Sequence, residues 1–107
     1  MLYWKSACSS DQKRLDAIKT LYRKHPDLLF YLFEPSQPRL RLPSEVLKKY
    51  AQAFSSGEKL LIRMGLDIWD GSGDALFREI YHVLDPINFK NTLETLGFLK
   101  NQSNQNL

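Results

Sequence analysis

Ser55-Ser-Gly-Glu58 places a serine three residues ahead of a glutamate, and Leu60, Leu61, Met64 and Ile68 then recur at helical spacing. The serine hydroxyl and the glutamate carboxylate can each satisfy a backbone N–H that the first turn of a helix leaves without a partner. The chain is therefore expected to enter a helix over 56–69, with Trp69 on the same apolar side. Gly65 sits between Leu61 and Trp69 on that face, where a missing side chain would let a neighbouring helix approach.

The rest of the sequence repeats this pattern of short amphipathic blocks between punctuation residues. Ser9-Ser-Asp-Gln12 offers a further cap, and Leu15, Ile18, Leu21 and Tyr22 predict a helix over about 10–24 that His25-Pro26 ends. Pro43-Ser-Glu45 opens a helix with Val46, Leu47, Tyr50, Ala51 and Phe54 on one face and Lys48, Lys49 and Gln52 on the other. Asp74 is expected to cap a helix carrying Leu76, Phe77, Ile80, Val83 and Leu84. Asp85-Pro86 begins the last helix, whose Phe89, Leu93, Leu96 and Phe98 are expected in the core.

Leu28-Leu-Phe-Tyr-Leu-Phe33 is a short continuous apolar run that fits a buried helix or a buried strand. We read it as helix. In the strand alternative, Arg39-Leu-Arg-Leu42 alternates with period two and would complete a small β-hairpin over 28–42. The expected fold is all-α, a compact bundle of five to six short helices in one domain over 1–100, followed by a disordered polar tail at 101–107. Its 107 residues suit one core, and a composition 43% hydrophobic and 12% aromatic is too apolar for a disordered chain.

The run Leu28 to Phe33 is the longest apolar stretch, far short of the roughly 20 residues a membrane span requires. The amino terminus lacks the basic and apolar regions of a secretory signal, and one cysteine, Cys8, cannot form an internal disulfide. A cytoplasmic, membrane-free protein is expected, with Cys8 as an inert thiol.

Arg14-Leu-Asp-Ala-Ile-Lys19, Tyr22, His25-Pro26 and Leu29-Phe-Tyr-Leu32 are followed by Phe54-Ser-Ser-Gly-Glu-Lys-Leu-Leu-Ile62 and Leu66-Asp-Ile-Trp-Asp-Gly71, then Leu84-Asp85, Asn88-Phe89 and Leu93-Glu94. Across most of the chain this resembles a small family of bacterial and phage-associated proteins with no assigned activity. The Ser55–Lys59 helix start and the helix ending at Gly71 are its most specific part. The Pro-rich 34–43 stretch and the polar tail depart from it. The resemblance implies an all-helical fold and a mobile-element setting, and carries over no functional residue.

Three constellations bear on chemistry. A twelve-residue loop from Ile68 to Glu79 would put Asp70, Ser72, Gly73 and Glu79 at positions 3, 5, 6 and 12 of a calcium loop. Ile68 at position 1 supplies no oxygen, so we read a turn that binds no metal. The last two helices resemble a helix-turn-helix, with Asn88, Asn91, Thr92 and Thr95 as the face that could read base edges. Only Lys90 on that helix is positioned to neutralise phosphate there. Glu79, His82 and Asp85 share a helix face without a fourth ligand or a nucleophile, and surface ion pairing is the expected role.

No catalytic motif and no cofactor site is present, so the sequence reads as a non-enzymatic protein-interaction or regulatory module. The alternative is a nucleic-acid-binding protein. Residues 1–50 hold ten Lys/Arg against five acids and residues 51–107 five against seven, a split of +5 and −2. The basic half is therefore expected to carry the partner-binding residues, Arg39, Arg41, Lys48 and Lys49, with another protein as partner. Tyr3, Trp4, Tyr31 and Phe33 are the aromatics that could face a partner.

Overall fold

The structure is a computed structural model that describes the backbone over residues 8–105 and side chains as far as residue 101. Among the described residues six α-helices follow one another: α1 (Ser9–Leu21), α2 (Leu28–Leu32), α3 (Ser44–Tyr50), α4 (Ser56–Asp70), α5 (Phe77–Val83) and α6 (Pro86–Gln105). A 3-10 turn at Ala51–Ala53 joins α3 to α4.

The capping box forms as the spacing dictates. The Ser55 hydroxyl accepts from the Glu58 N–H, and the Glu58 carboxylate accepts from the Ser55 N–H. Gly71, in the left-handed region at φ 78°, closes α4. Along α4, Leu60, Leu61, Ile62, Met64 and Leu66 are all buried, and α1, α3 and α5 pack on this helix while α6 packs on α1. At Gly65 an added Cβ would lie 2.0 Å from the Tyr22 hydroxyl, the close approach that the apolar face anticipated. Tyr22 is wholly buried, donates to the Leu61 carbonyl at 2.7 Å, and its phenol is pushed well above its ordinary pKa by burial.

Leu15, Ile18 and Leu21 of α1, with Tyr22 just after it, share the core with α4, and Leu28, Leu29, Leu32 and Phe33 complete it. The 28–33 run is helical through Leu32, and the β-hairpin alternative does not form. What survives of it is one antiparallel bridge between Phe33 and Leu40, with Arg41 N–H donating to the Leu32 carbonyl at 2.8 Å. Prolines 35, 38 and 43 bracket the return segment and supply no N–H with which the ladder could continue on either side.

Four local expectations are corrected. α1 begins at Ser9 with Cys8 at the cap position and no side-chain cap bond, so the Ser9 and Gln12 cap does not form and Gln12 reaches Asp16 instead. α5 begins at Phe77 rather than at an Asp74 cap, and its first turn is held by Glu79, which accepts from the Leu76 N–H. The α6 backbone runs on to Gln105, beyond the boundary placed at residue 100. Above all, α6 is rotated from the expected orientation: Asn88, Asn91, Thr92 and Thr95 are buried and Leu93 and Leu96 are exposed, while Phe89 packs against the core as expected.

Candidate protein-docking surface

The orientation of α6 follows from what the end of α1 offers it. Arg23 reaches Glu94 at 2.8 Å and Asn91 Oδ1 at 3.3 Å, Lys24 reaches Asp85 at 2.7 Å, and His25 Nε2 lies 3.3 Å from Asn88 Nδ2. Asp85 also caps α6 by accepting from the Asn88 N–H, as its position before Pro86 led us to expect. Thr92 and Thr95 return their hydroxyls to the carbonyls four residues back, at 2.8 Å each. With its hydroxyl satisfied by its own helix, a threonine presents a methyl group to its surroundings and can be buried at little polar cost. The fit is incomplete, since Asn88 Oδ1 and Asn91 Nδ2 are buried without a protein partner.

These four residues are the face expected to read DNA, and burial against the bundle withdraws them from any groove. In exchange, Leu93 is 55% exposed and Leu96 53%. On α5, Phe77 is 80% exposed and Tyr81 55%, stacked edge-on at 5.9 Å between ring centroids. α5 packs on α4 and α6 packs on α1, and the two diverge from a two-residue corner at 84–85. Between them lies a mainly apolar hollow of about 140 Å³, bordered by Met64, Ile68, Ala75, Ile80 and Leu96 and also by Asp67, Thr92 and Thr95.

Charge is distributed unevenly around this hollow. Asp74, Glu79, Asp85 and Glu94 are the acids of residues 71–101, and each has an ion-pair partner outside α5 and α6: Lys48, Arg63, Lys24 and Arg23. Arg63 lowers the pKa of Glu79, assisted by the Leu76 N–H. The Asn88 N–H and Lys24 do the same for Asp85, and Arg23 does so for Glu94. Arg78, Lys90 and Lys100 have no ion-pair partner among the described residues.

The calcium arrangement is not assembled. Glu79 is turned to Arg63 at 2.8 Å, and Asp70 accepts from the Ser72 N–H as an ordinary turn residue. The carboxylate that organises the loop is Asp67, which accepts the N–H groups of Gly73, Asp74 and Ala75 at 2.8, 3.0 and 2.9 Å. Gly73 lies so close to α4 that an added Cβ would be 1.7 Å from the Arg63 carbonyl oxygen. Among the described residues no three His, Cys, Asp or Glu side chains gather as a metal site. His82 is exposed beside Tyr81, 4.7 Å between ring centroids.

The four cations expected to bind a partner are divided. Arg39 and Arg41 line one open cleft of about 540 Å³ with Leu42 and Trp69, but Glu34 and Asp70 line it too. Arg41 donates to the Phe30 carbonyl at 2.8 Å. Lys48 is tied to Glu45, Asp74 and the Ser72 carbonyl, and its pKa is raised first by Glu45. Lys49 is exposed without an ion pair among the described residues. Of the expected aromatics, Phe33 is buried and Tyr31 half-buried, and Tyr3 and Trp4 lie outside the described residues. Missed at the sequence level were Phe77 and Tyr81 as exposed rings; their position one turn apart on a seven-residue helix was the available signal.

No helix among the described residues is long and apolar enough to cross a membrane. Compared with known protein families, curated proteins and solved structures, the chain matches none.

Proposed function

We propose that this chain is a non-enzymatic protein-interaction module that docks a partner on the apolar surface shared by α5 and α6. The observation that carries this reading is the orientation of α6, which buries amides and threonines and exposes Leu93 and Leu96, with Leu96 lining the same hollow as Ile80 of α5, the helix on which Phe77 and Tyr81 are exposed. Contiguous exposed apolar side chains ringed by polar ones are the usual mark of a partner site, and aromatic residues are enriched there. A cytoplasmic bacterial or phage-associated setting rests on the family resemblance and the lone cysteine. Arg39, Arg41 and Lys49 are proposed as auxiliary cationic contacts.

A direct test compares capture of cellular proteins by the wild type, by a Leu93→Ser/Leu96→Ser variant and by an Arg39→Glu/Arg41→Glu/Lys49→Glu variant. The serine variant should lose its specific partners while melting no lower than the wild type. Retained capture by the serine variant, with loss in the charge-reversed one, would move the site to the Arg39 cleft. Retention on duplex DNA with a steep salt dependence would instead support the nucleic-acid alternative.

A further inference from the structure

Resting on that reading of α5 and α6 as the docking surface, we infer that its occupant is an amphipathic helix of a partner protein with acidic residues flanking its apolar stripe. The argument begins with the order of side chains around each helix, at about 100° per residue. On α5, Glu79 and Val83 face the Arg63 side, where they border a separate hollow with Lys59 and Leu60. Moving away from that side come Ile80, which lines the groove, then Phe77 and Tyr81, and then Arg78. On α6 the corresponding order from the groove outward is Leu96, Leu93, Lys90, with Lys100 one turn beyond Leu96 along the same stripe.

The hollow is mainly apolar, with Asp67, Thr92 and Thr95 also bordering it, and helical spacing puts Arg78 beyond Phe77 and Tyr81 on α5 and Lys100 one turn beyond Leu96 on α6, while Lys90 stands further round α6, where it borders a neighbouring hollow with Arg23, Lys24 and Ile87. Leu96 and Ile80 line the groove together with Met64, Ile68 and Ala75. A hollow of about 140 Å³ has room for one or two apolar side chains from the stripe of a docked helix, whereas a flat surface would leave it unfilled.

The identity of the flanking groups follows from the charges. Every acid of residues 71–101 is engaged by a cation from another part of the fold, which leaves Arg78, Lys90 and Lys100 as the charges of α5 and α6 available to a partner. Glutamates or aspartates beside the partner's apolar stripe would complement them, and basic residues would be repelled. The same charges argue against a second copy of this chain, because two such faces would bring both sets of cations together.

The test uses three synthetic peptides of about 16 residues, roughly 24 Å of helix. One has Leu and Phe at i, i+3, i+4 and i+7 with Glu at the flanking positions. Its twin has Lys at those flanks, and the third is a sequence-scrambled form of the first. Titrated into isotopically labelled full-length protein, the acidic peptide should shift amide resonances of 76–84 and 89–100. It should bind at least about tenfold more tightly than the lysine twin, the size expected of three exposed ion pairs. Added salt should narrow that difference. Arg78→Glu/Lys90→Glu/Lys100→Glu should reverse the preference, and the milder Gln triple should abolish it without changing the fold.

Equal binding of the acidic and lysine peptides would overturn the charge assignment while leaving the apolar docking surface in place. Concentration-dependent dimerisation abolished by Leu93→Ser/Leu96→Ser would make a second copy the occupant. Sedimentation with vesicles containing phosphatidylglycerol, in the absence of peptide binding, would make the surface a membrane contact. If no peptide binds and the serine variant still captures its partners, both this inference and the docking surface itself are wrong.

Discussion

At Gly65 the fold depends on a hydrogen atom where any other residue would carry a carbon. The Tyr22 hydroxyl occupies that space and donates to the Leu61 carbonyl in a fully buried position. Gly65→Ala must displace the ring, so overpacking and a lost buried hydrogen bond combine, and thermal unfolding should show a loss of about 3 kcal/mol. Tyr22→Phe removes the clashing oxygen. The double variant should therefore be clearly more stable than the sum of the two single losses predicts. Strict additivity would mean that Tyr22 and Gly65 do not share this contact. The sequence shows a glycine on an apolar helix face; which side chain fills the space is set by a contact 43 positions away in the chain, from residue 65 back to 22.

Among the elements, two helix starts that look alike in sequence differ in structure. Ser55 and Glu58 complete a reciprocal pair of bonds, whereas Ser9 and Gln12 do not, because α1 starts a residue early and Gln12 reaches Asp16 instead. Ser55→Ala should consequently lower stability by about 1 kcal/mol, and Ser9→Ala should leave the melt unchanged. Equal losses in the two melts would contradict the assignment of the caps. α3 and the start of α6 were legible as α4 was, from a helix-start signal just ahead of an apolar periodicity: a proline with an acidic residue in those two cases, the Ser55–Glu58 spacing in α4. The 71–76 loop was not, since no familiar spacing links Asp67 to the three N–H groups it receives. Its partners lie six to eight residues on and become neighbours only after Gly71 has turned the chain.

For the molecule as a whole, the asymmetry of charge along the sequence resolves into internal pairing. Arg23, Lys24 and Lys48 of the basic half engage Glu94, Asp85 and Asp74 of the acidic half, so part of the expected field is neutralised inside the fold. The Arg23 and Lys24 pairs, together with His25 beside Asn88, hold α6 by its amide and threonine face. Periodicity alone favoured burying Leu93 and Leu96, because it weighs apolarity on one helix and cannot see which partners another helix brings. The candidate site was hidden for the same reason. It consists of side chains that an isolated reading assigns to the core, left outside by contacts made elsewhere.

The central claim is the outward orientation of Leu93 and Leu96, and thiol accessibility measures it most directly. In a Cys8→Ser background, which removes the exposed native thiol, Leu96→Cys and Thr95→Cys place one sulfhydryl on each side of α6. Under native conditions Leu96→Cys should react with a thiol reagent at nearly the rate of an unfolded control, and Thr95→Cys should be protected by orders of magnitude. Rapid labelling of Thr95→Cys with protection of Leu96→Cys would show that α6 buries its leucines, and the proposed docking surface would not exist.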